Sequence, residues 1–126
     1  MAGKIVADTL EHSTAGSIAT NYVVEGSAKA WVVFSQSGPT TSDSFNITSV
    51  SDDATGQFTP SFTSSFDNAN YAVTGTVKRS GGGNARTNYT YDSTATGSFG
   101  AFTFQTATDD AYHDTPSSSS VHGDLA

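Results

Sequence analysis

The clearest hydrophobic pattern in the chain lies between Ser27 and Gln36, where Ala28, Ala30, Val32 and Phe34 alternate with Lys29, Trp31, Val33 and Ser35. A two-residue period marks a β-strand, and apolar groups on both sides of it mark a strand covered on both faces. Ser44 to Val50 alternates as well, with Phe45 and Ile47 opposed to Ser44, Asn46, Thr48 and Val50. The Asp- and Gly-rich run from Ser51 to Gly56 then reads as the turn of a hairpin whose second strand spans Gln57 to Thr63. Pro60 has no backbone donor, which predicts an edge strand or a bulge there. Phe66 to Asn70 is a turn, and Tyr71 to Val77 a strand with Tyr71, Val73, Gly75 and Val77 on one face.

The rest of the chain carries weaker signals. Lys4 to Leu10 and Ile18 to Val24 read as extended pieces around a polar breaker, His12 to Ser17. Lys78 to Asn88 contains three consecutive glycines, Gly81 to Gly83, and reads as a flexible loop. Tyr89 and Tyr91 alternate in a short strand, and Phe99 to Thr106 places Phe102 and Phe104 on one face with Phe99 off it. Asp109 to Ser120 is acidic and then serine-rich. About eight short strands separated by turn signals predict an antiparallel β-sandwich of jelly-roll-like build.

Composition sharpens this picture. The chain has 126 residues, enough for one domain. Ser and Thr number 19 each, whereas Leu and Glu occur twice each, so helix-forming residues are scarce and a helical bundle or Rossmann-type fold is disfavoured. The net charge is −7 with five Lys and Arg, which cannot form the basic footprint that a nucleic acid or an anionic membrane requires. Without cysteine there is no disulfide, thiolate metal site or thiol nucleophile. No basic region leads into an apolar run at Met1 to Lys4, so the sequence predicts a soluble protein made inside the cell. Ala30 to Phe34, the longest apolar stretch, is too short to cross a bilayer.

Candidate chemistry is sparse. No two of His12, His113 and His122 have helical ligand spacing, and Asp52-Asp53 and Asp109-Asp110 fit no calcium loop. There is no G-x-S-x-G elbow and no phosphate loop, so no catalytic residue, metal or cofactor is assigned. Lys78, Arg79 and Arg86 form a positive spot beside Tyr89 and Tyr91, suited to an acidic glycan or protein surface. Trp31 and Val33 lie on the second apolar face of the strongest strand. With only 35% hydrophobic residues, burial of that face between subunits, in a homotrimer, would complete the core.

Gly26 to Phe34, with its Lys29-Ala-Trp31 strand, Asp43 to Val50, the Asp67-Asn-Ala-Asn-Tyr71 turn and the terminal His122-Gly-Asp-Leu125 resemble small virion structural proteins of tailed bacteriophages. The likeness covers residues 3 to 77 and the C-terminus. It implies a non-enzymatic virion protein made in the host cytoplasm, with other virion proteins of tail or capsid as partners and no membrane insertion. A short tail fibre or fibre tip engaging a host surface glycan or protein is the leading form. A capsid decoration or head-fibre protein and, from another class, a carbohydrate-binding module using Tyr89, Tyr91 and Trp31 are the alternatives. In this reading residues 1–26 form an extended attachment arm, with Ile5, Val6, Leu10 and Ile18 as docking residues, and residues 27–126 form the β-domain. Fully extended, the arm would reach about 85 Å.

Overall fold

A computed structural model describes residues 3–78, 87–105 and 111–126. The elements, in chain order, are β1 (Thr9–His12), β2 (Gly16–Ala19), α1 (Thr20–Gly26), β3 (Ala30–Ser35), β4 (Thr40–Phe45) and β5 (Ile47–Ala54). There follow β6 (Gln57–Phe62), β7 (Ala72–Val77), β8 (Thr87–Ala95), β9 (Ser98–Gln105), β10 (Ala111–Tyr112) and β11 (Pro116–His122). All pairings among them are antiparallel, and the protein is all-β with one short helix.

Besides the β1–β2 hairpin there are two sheets. One runs β4-β3-β11-β7. In the other, β6 lies between β5 and β9, and β8 lines the opposite edge of β9. β10 continues the line of β6 along β9, where Tyr112 faces Phe104. The inward side chains of both sheets meet in one core: Ala30, Val32 and Phe34 from β3, Val121 from β11, Phe58 and Phe62 from β6, and Phe99 and Ala101 from β9. Phe34 and Phe58 bring the sheets into contact, with ring centroids 5.2 Å apart. At the other end Phe62, Phe66 and Tyr71 stack with centroids 4.7 to 5.7 Å apart, and Phe99 lies 5.9 Å from Phe62. Each fully buried phenylalanine contributes about 2–3 kcal/mol by area removed from water.

Strands form at Ser27–Gln36, at Tyr71–Val77 and from Phe99 to Gln105, as the alternation predicts, Thr106 lying outside the described residues. The predicted hairpin forms too, but β5 runs on through Ser51–Ala54 and the turn is confined to Thr55 and Gly56. Three expectations are corrected. Ser44 to Val50 is not one strand. It divides at Asn46, whose φ of 54° is left-handed, and the chain passes from β4 in one sheet to β5 in the other. Asparagine tolerates that backbone, and its carboxamide acts as a strand end: Oδ1 accepts from Ser64 N at 2.7 Å and Nδ2 donates to Ser64 O at 3.1 Å. Phe45 therefore faces outward while Ile47 packs on the core.

Pro60 lies on an inner strand rather than an edge. The β6–β9 ladder keeps one register through Gln57↔Phe102, Phe58↔Ala101 and Ser61↔Ser98, and it lapses at residues 59–60, where the missing donor would have been used. The serine run, to which the sequence assigned no element, lies inside a sheet, because β11 pairs with β3 on one side and β7 on the other. Finally, the N-terminal segment is not extended. It folds into the β1–β2 hairpin and α1.

Gly56 closes the β5–β6 hairpin with φ +68°, and a Cβ there would fall 2.8 Å from His113 N and 2.8 Å from Tyr112 Cβ, besides striking Thr103 O. Its own N–H donates to Asp114 Oδ1 at 2.8 Å, and its carbonyl accepts from Thr103 N at 2.8 Å. Gly56→Ala is expected to lower stability by about 2 kcal/mol or more, since strain and overlap with backbone act together. Urea denaturation of the two proteins measures this, and equal midpoints would contradict it.

Candidate functional site

The sequence-selected residues fall into separate places. Ile5, Val6, Leu10 and Ile18 lie in the N-terminal segment, all exposed, with Ile5 and Val6 at 91% and 82%. Tyr22, Val23 and Val24 on α1 are exposed as well, and sequence reading did not single them out. From residue 3 to residue 27 nothing is buried. The segment is held mostly by local bonds: Thr20 N and Oγ1 donate to Asp8 O and Ala7 O at 2.9 and 2.6 Å, and His12 Nδ1 accepts from Ala15 N at 3.1 Å. Lys29 Nζ reaches back to Val24 O and Ser27 Oγ at the end of the helix.

Trp31 and Val33 project from the outer face of β3, and Phe45, paired with Trp31 across β3–β4, shares that face. Beyond them the outer face turns to hydroxyls, with Ser118 and Ser120 on β11 and Thr74 and Thr76 on β7. A shallow depression of about 300 Å³ spans this junction of apolar and hydroxyl surface. The stripe Trp31, Val33, Phe45 is open to solvent to differing degrees, with Phe45 the most exposed at 54%.

The candidate contact surface is divided. Lys78 follows the end of β7, exposed, with its N–H donating to Pro116 O at 2.7 Å. Arg79 and Arg86 lie outside the described residues. Tyr89 turns inward: its ring meets Phe58 edge-on at 6.4 Å and its hydroxyl bonds Ser119 Oγ at 2.6 Å. Tyr91, two residues on, stays exposed. Thus Tyr89, Tyr91 and Trp31 do not form a common stacking platform, because Tyr89 is committed to the core and Trp31 belongs to the face of the other sheet. Gly75 makes room for Tyr89; any Cβ there would strike its ring.

A different aromatic surface does assemble. On β9 the residues alternate cleanly, with Phe99, Ala101 and Thr103 inward and Phe102 and Phe104 outward. Tyr112 of β10 lies opposite Phe104, and its ring is 6.0 Å from that of Phe102. Thr90 and Asp92 on β8 complete an open groove of about 550 Å³. The pairing of Phe102 and Phe104 was legible in the alternation, but the approach of Tyr112 depends on a two-residue strand without a pattern of its own. Behind this surface, Thr103 Oγ1 lies 2.6 Å from His113 O and 2.9 Å from the Gln36 carboxamide, a buried polar chain joining β9 to β3.

Among the described residues no three His, Asp or Glu side chains gather as metal ligands, and no helix is long and apolar enough to cross a membrane. Asp53, one of the paired acids, accepts from Thr59 Oγ1 at 2.7 Å across the hairpin. Comparison with protein-family models, curated proteins and solved structures found no match to this chain.

Burial pushes the Tyr89 hydroxyl up to about 12 from its ordinary 10.0, against the smaller opposing effect of the Ser119 bond. Tyr71 is raised too, chiefly by burial. Below pH 10 both folded and unfolded chains keep the Tyr89 proton, and its contribution is complete. Between pH 10 and 12 only the unfolded chain ionises, so stability falls as pH rises, by roughly 2–3 kcal/mol from this residue. Tyr89→Phe is expected to cost about 1 kcal/mol at neutral pH and to flatten that alkaline decline. Denaturant midpoints from pH 7 to 11.5 test it; an unchanged alkaline slope would contradict the assignment.

Proposed function

We propose that this protein is a non-enzymatic structural component of a bacteriophage particle, a short tail fibre or fibre tip. In this reading an antiparallel β-sandwich, residues 27–126, is carried on an attachment segment, residues 1–26, and three copies associate. The observation that carries the reading is the N-terminal segment. Ile5, Val6, Leu10, Ile18, Tyr22, Val23 and Val24 are all exposed on a segment of which no described residue is buried. So many apolar side chains left in water on one short segment favour an interaction role. The virion setting rests on the resemblance carried by Gly26 to Phe34, Asp43 to Val50 and Asp67 to Tyr71.

The stripe Trp31, Val33 and Phe45 supports association of copies through the outer face of the β4-β3-β11-β7 sheet. An assembly role also suits the chemistry of the described residues: the Tyr89 and Ser119 hydroxyls join the two sheets, and the acids Asp53 and Asp114 hold turns.

Deleting residues 1–26 is expected to leave a folded β-body, with an unchanged β-type circular dichroism spectrum and a melting temperature within a few degrees of the full chain. That body should no longer join particles, as read by electron microscopy of labelled protein on purified virions. Normal incorporation of the truncated protein would overturn the attachment role. Sedimentation equilibrium of the full chain is expected to give three times the monomer mass, and Trp31→Ser with Val33→Asp should shift it toward monomer.

A further inference from the structure

The groove between β8, β9 and β10 is an anomaly for an outer sheet face. Its neighbours on the same face, Gln57, Thr59 and Ser61 of β6, are polar, whereas Phe102, Phe104 and Tyr112 place three rings side by side. The acid of the groove is held in place. Asp92 stands opposite Gly100, where a Cβ would come 3.3 Å from the Asp92 backbone oxygen and 3.8 Å from the Phe102 ring. Asp92 Oδ1 accepts from Ser93 N at 2.6 Å, and Ser93 has the left-handed φ of 53° at an irregularity in the β8–β9 register. Irregularities of this kind re-aim a neighbouring side chain, and here the residue beside the irregularity is the one charged group among the described residues that line the groove.

We propose that this groove binds a small organic cation of the quaternary-ammonium or methylated-amine class, free in solution. The argument is one of charge and of hydrogen-bonding capacity. Aromatic faces attract a cation through their quadrupole, and a desolvated site strengthens that attraction. Asp92 supplies a full negative charge at one end, in a chain whose net charge is −7. Among the described residues, the lining side chains Thr90, Asp92, Phe102, Phe104 and Tyr112 include no N–H donor. An anion would meet repulsion from Asp92. A purely apolar occupant would strip water from the carboxylate without replacing it. Among the described lining residues a neutral sugar would find two hydroxyls, those of Thr90 and Tyr112, able to donate to its oxygens. A methylated ammonium needs no donor from the site: its methyl groups lie on the rings and its charge faces Asp92. The volume, about 550 Å³, lies within the range of small-molecule sites.

The test titrates the full chain with choline and, in parallel, with 3,3-dimethylbutanol, the uncharged molecule of the same shape. The readout is the ring-proton shifts of Phe102, Phe104 and Tyr112 by nuclear magnetic resonance. Choline is expected to give saturable shifts at these rings, with an affinity at least about five-fold above the neutral isostere. Asp92→Asn, an exposed substitution that should leave the melting temperature unchanged, is expected to weaken choline at least about five-fold and the isostere hardly at all. Phe104→Leu should weaken both. Equal binding of choline and its isostere would reduce the groove to an apolar surface and overturn the proposal. So would the absence of choline shifts up to about 10 mM, or saturable shifts given by an oligosaccharide and not by choline. None of these outcomes bears on the attachment role of residues 1–26, which is read by incorporation into particles.

Discussion

The hydrogen bond between Tyr89 and Ser119 joins the edge of one sheet to the middle of the other, and much of the architecture is arranged so that it can form. Tyr89 sits on β8, the outermost strand of its sheet, and its hydroxyl reaches Ser119 on β11, the central pairing partner of β3 and β7. The ring can cross only because Gly75 leaves its place empty and because Ser119 is short. At the opposite end Tyr71 of the β7 side does the reciprocal work, its hydroxyl shared between Ala95 O at 2.9 Å and Ser98 O at 2.7 Å on the β8–β9 turn. Two tyrosines thus close the sheets from opposite directions. Each fills apolar volume and satisfies its polar tip, the combination that lets tyrosine be buried without an orphaned hydroxyl.

This arrangement explains how a chain so poor in aliphatic residues makes a core. Rings supply the volume, and small residues stand where the rings need room. Ser117 and Ser119 face inward from β11 among Phe34, Phe58 and Tyr89, and Ala30 and Ala101 do the same on β3 and β9. A leucine at Ser119 would add volume to a space the Tyr89 ring already uses and would remove its hydrogen-bond partner, so larger apolar content would not by itself make a better core here. The same design delays assembly. β11 lies near the end of the chain yet occupies the inside of a sheet, so β3 and β7 gain their shared neighbour only after long loops close, the kind of topology that folds slowly.

The legibility of these features in the sequence follows from which of them depend on local pattern. β3, β7 and β9 alternate strongly because one face of each is in the core, and that period survives in the residues. β11 was opaque, since an inward serine and an outward serine look alike in sequence; only Val121 hints at the buried face. The division at Asn46 had a local cue in the asparagine itself, but regular alternation from Phe45 to Val50 concealed it. The helix α1 had the opposite problem. Tyr22-Val-Val24 favours a strand, and what decides otherwise is the lack of a partner strand, a tertiary fact. In the groove, Phe102 and Phe104 were readable as one face, whereas the positions of Asp92 and Tyr112 relative to them depend on strand register.

The N-terminal segment and the β-body follow different physical regimes, and that difference bears on how such a protein would work in an assembly. A hairpin of two four-residue strands is marginal in water. A helix of seven residues with no side-chain cap and no buried face is marginal as well. The body, by contrast, is locked by rings and by two tyrosine bridges. A segment of this kind gains its full order when its apolar residues find a surface, so ordering and docking become one event. Part of the contact energy then goes into fixing the segment, which weakens a single attachment while keeping it specific. Association of several copies restores strength without new contacts, because each docked segment raises the local concentration of the next. A weakly ordered arm on a rigid body is therefore most effective in an oligomer, and on this physical ground the attachment and self-association readings reinforce each other.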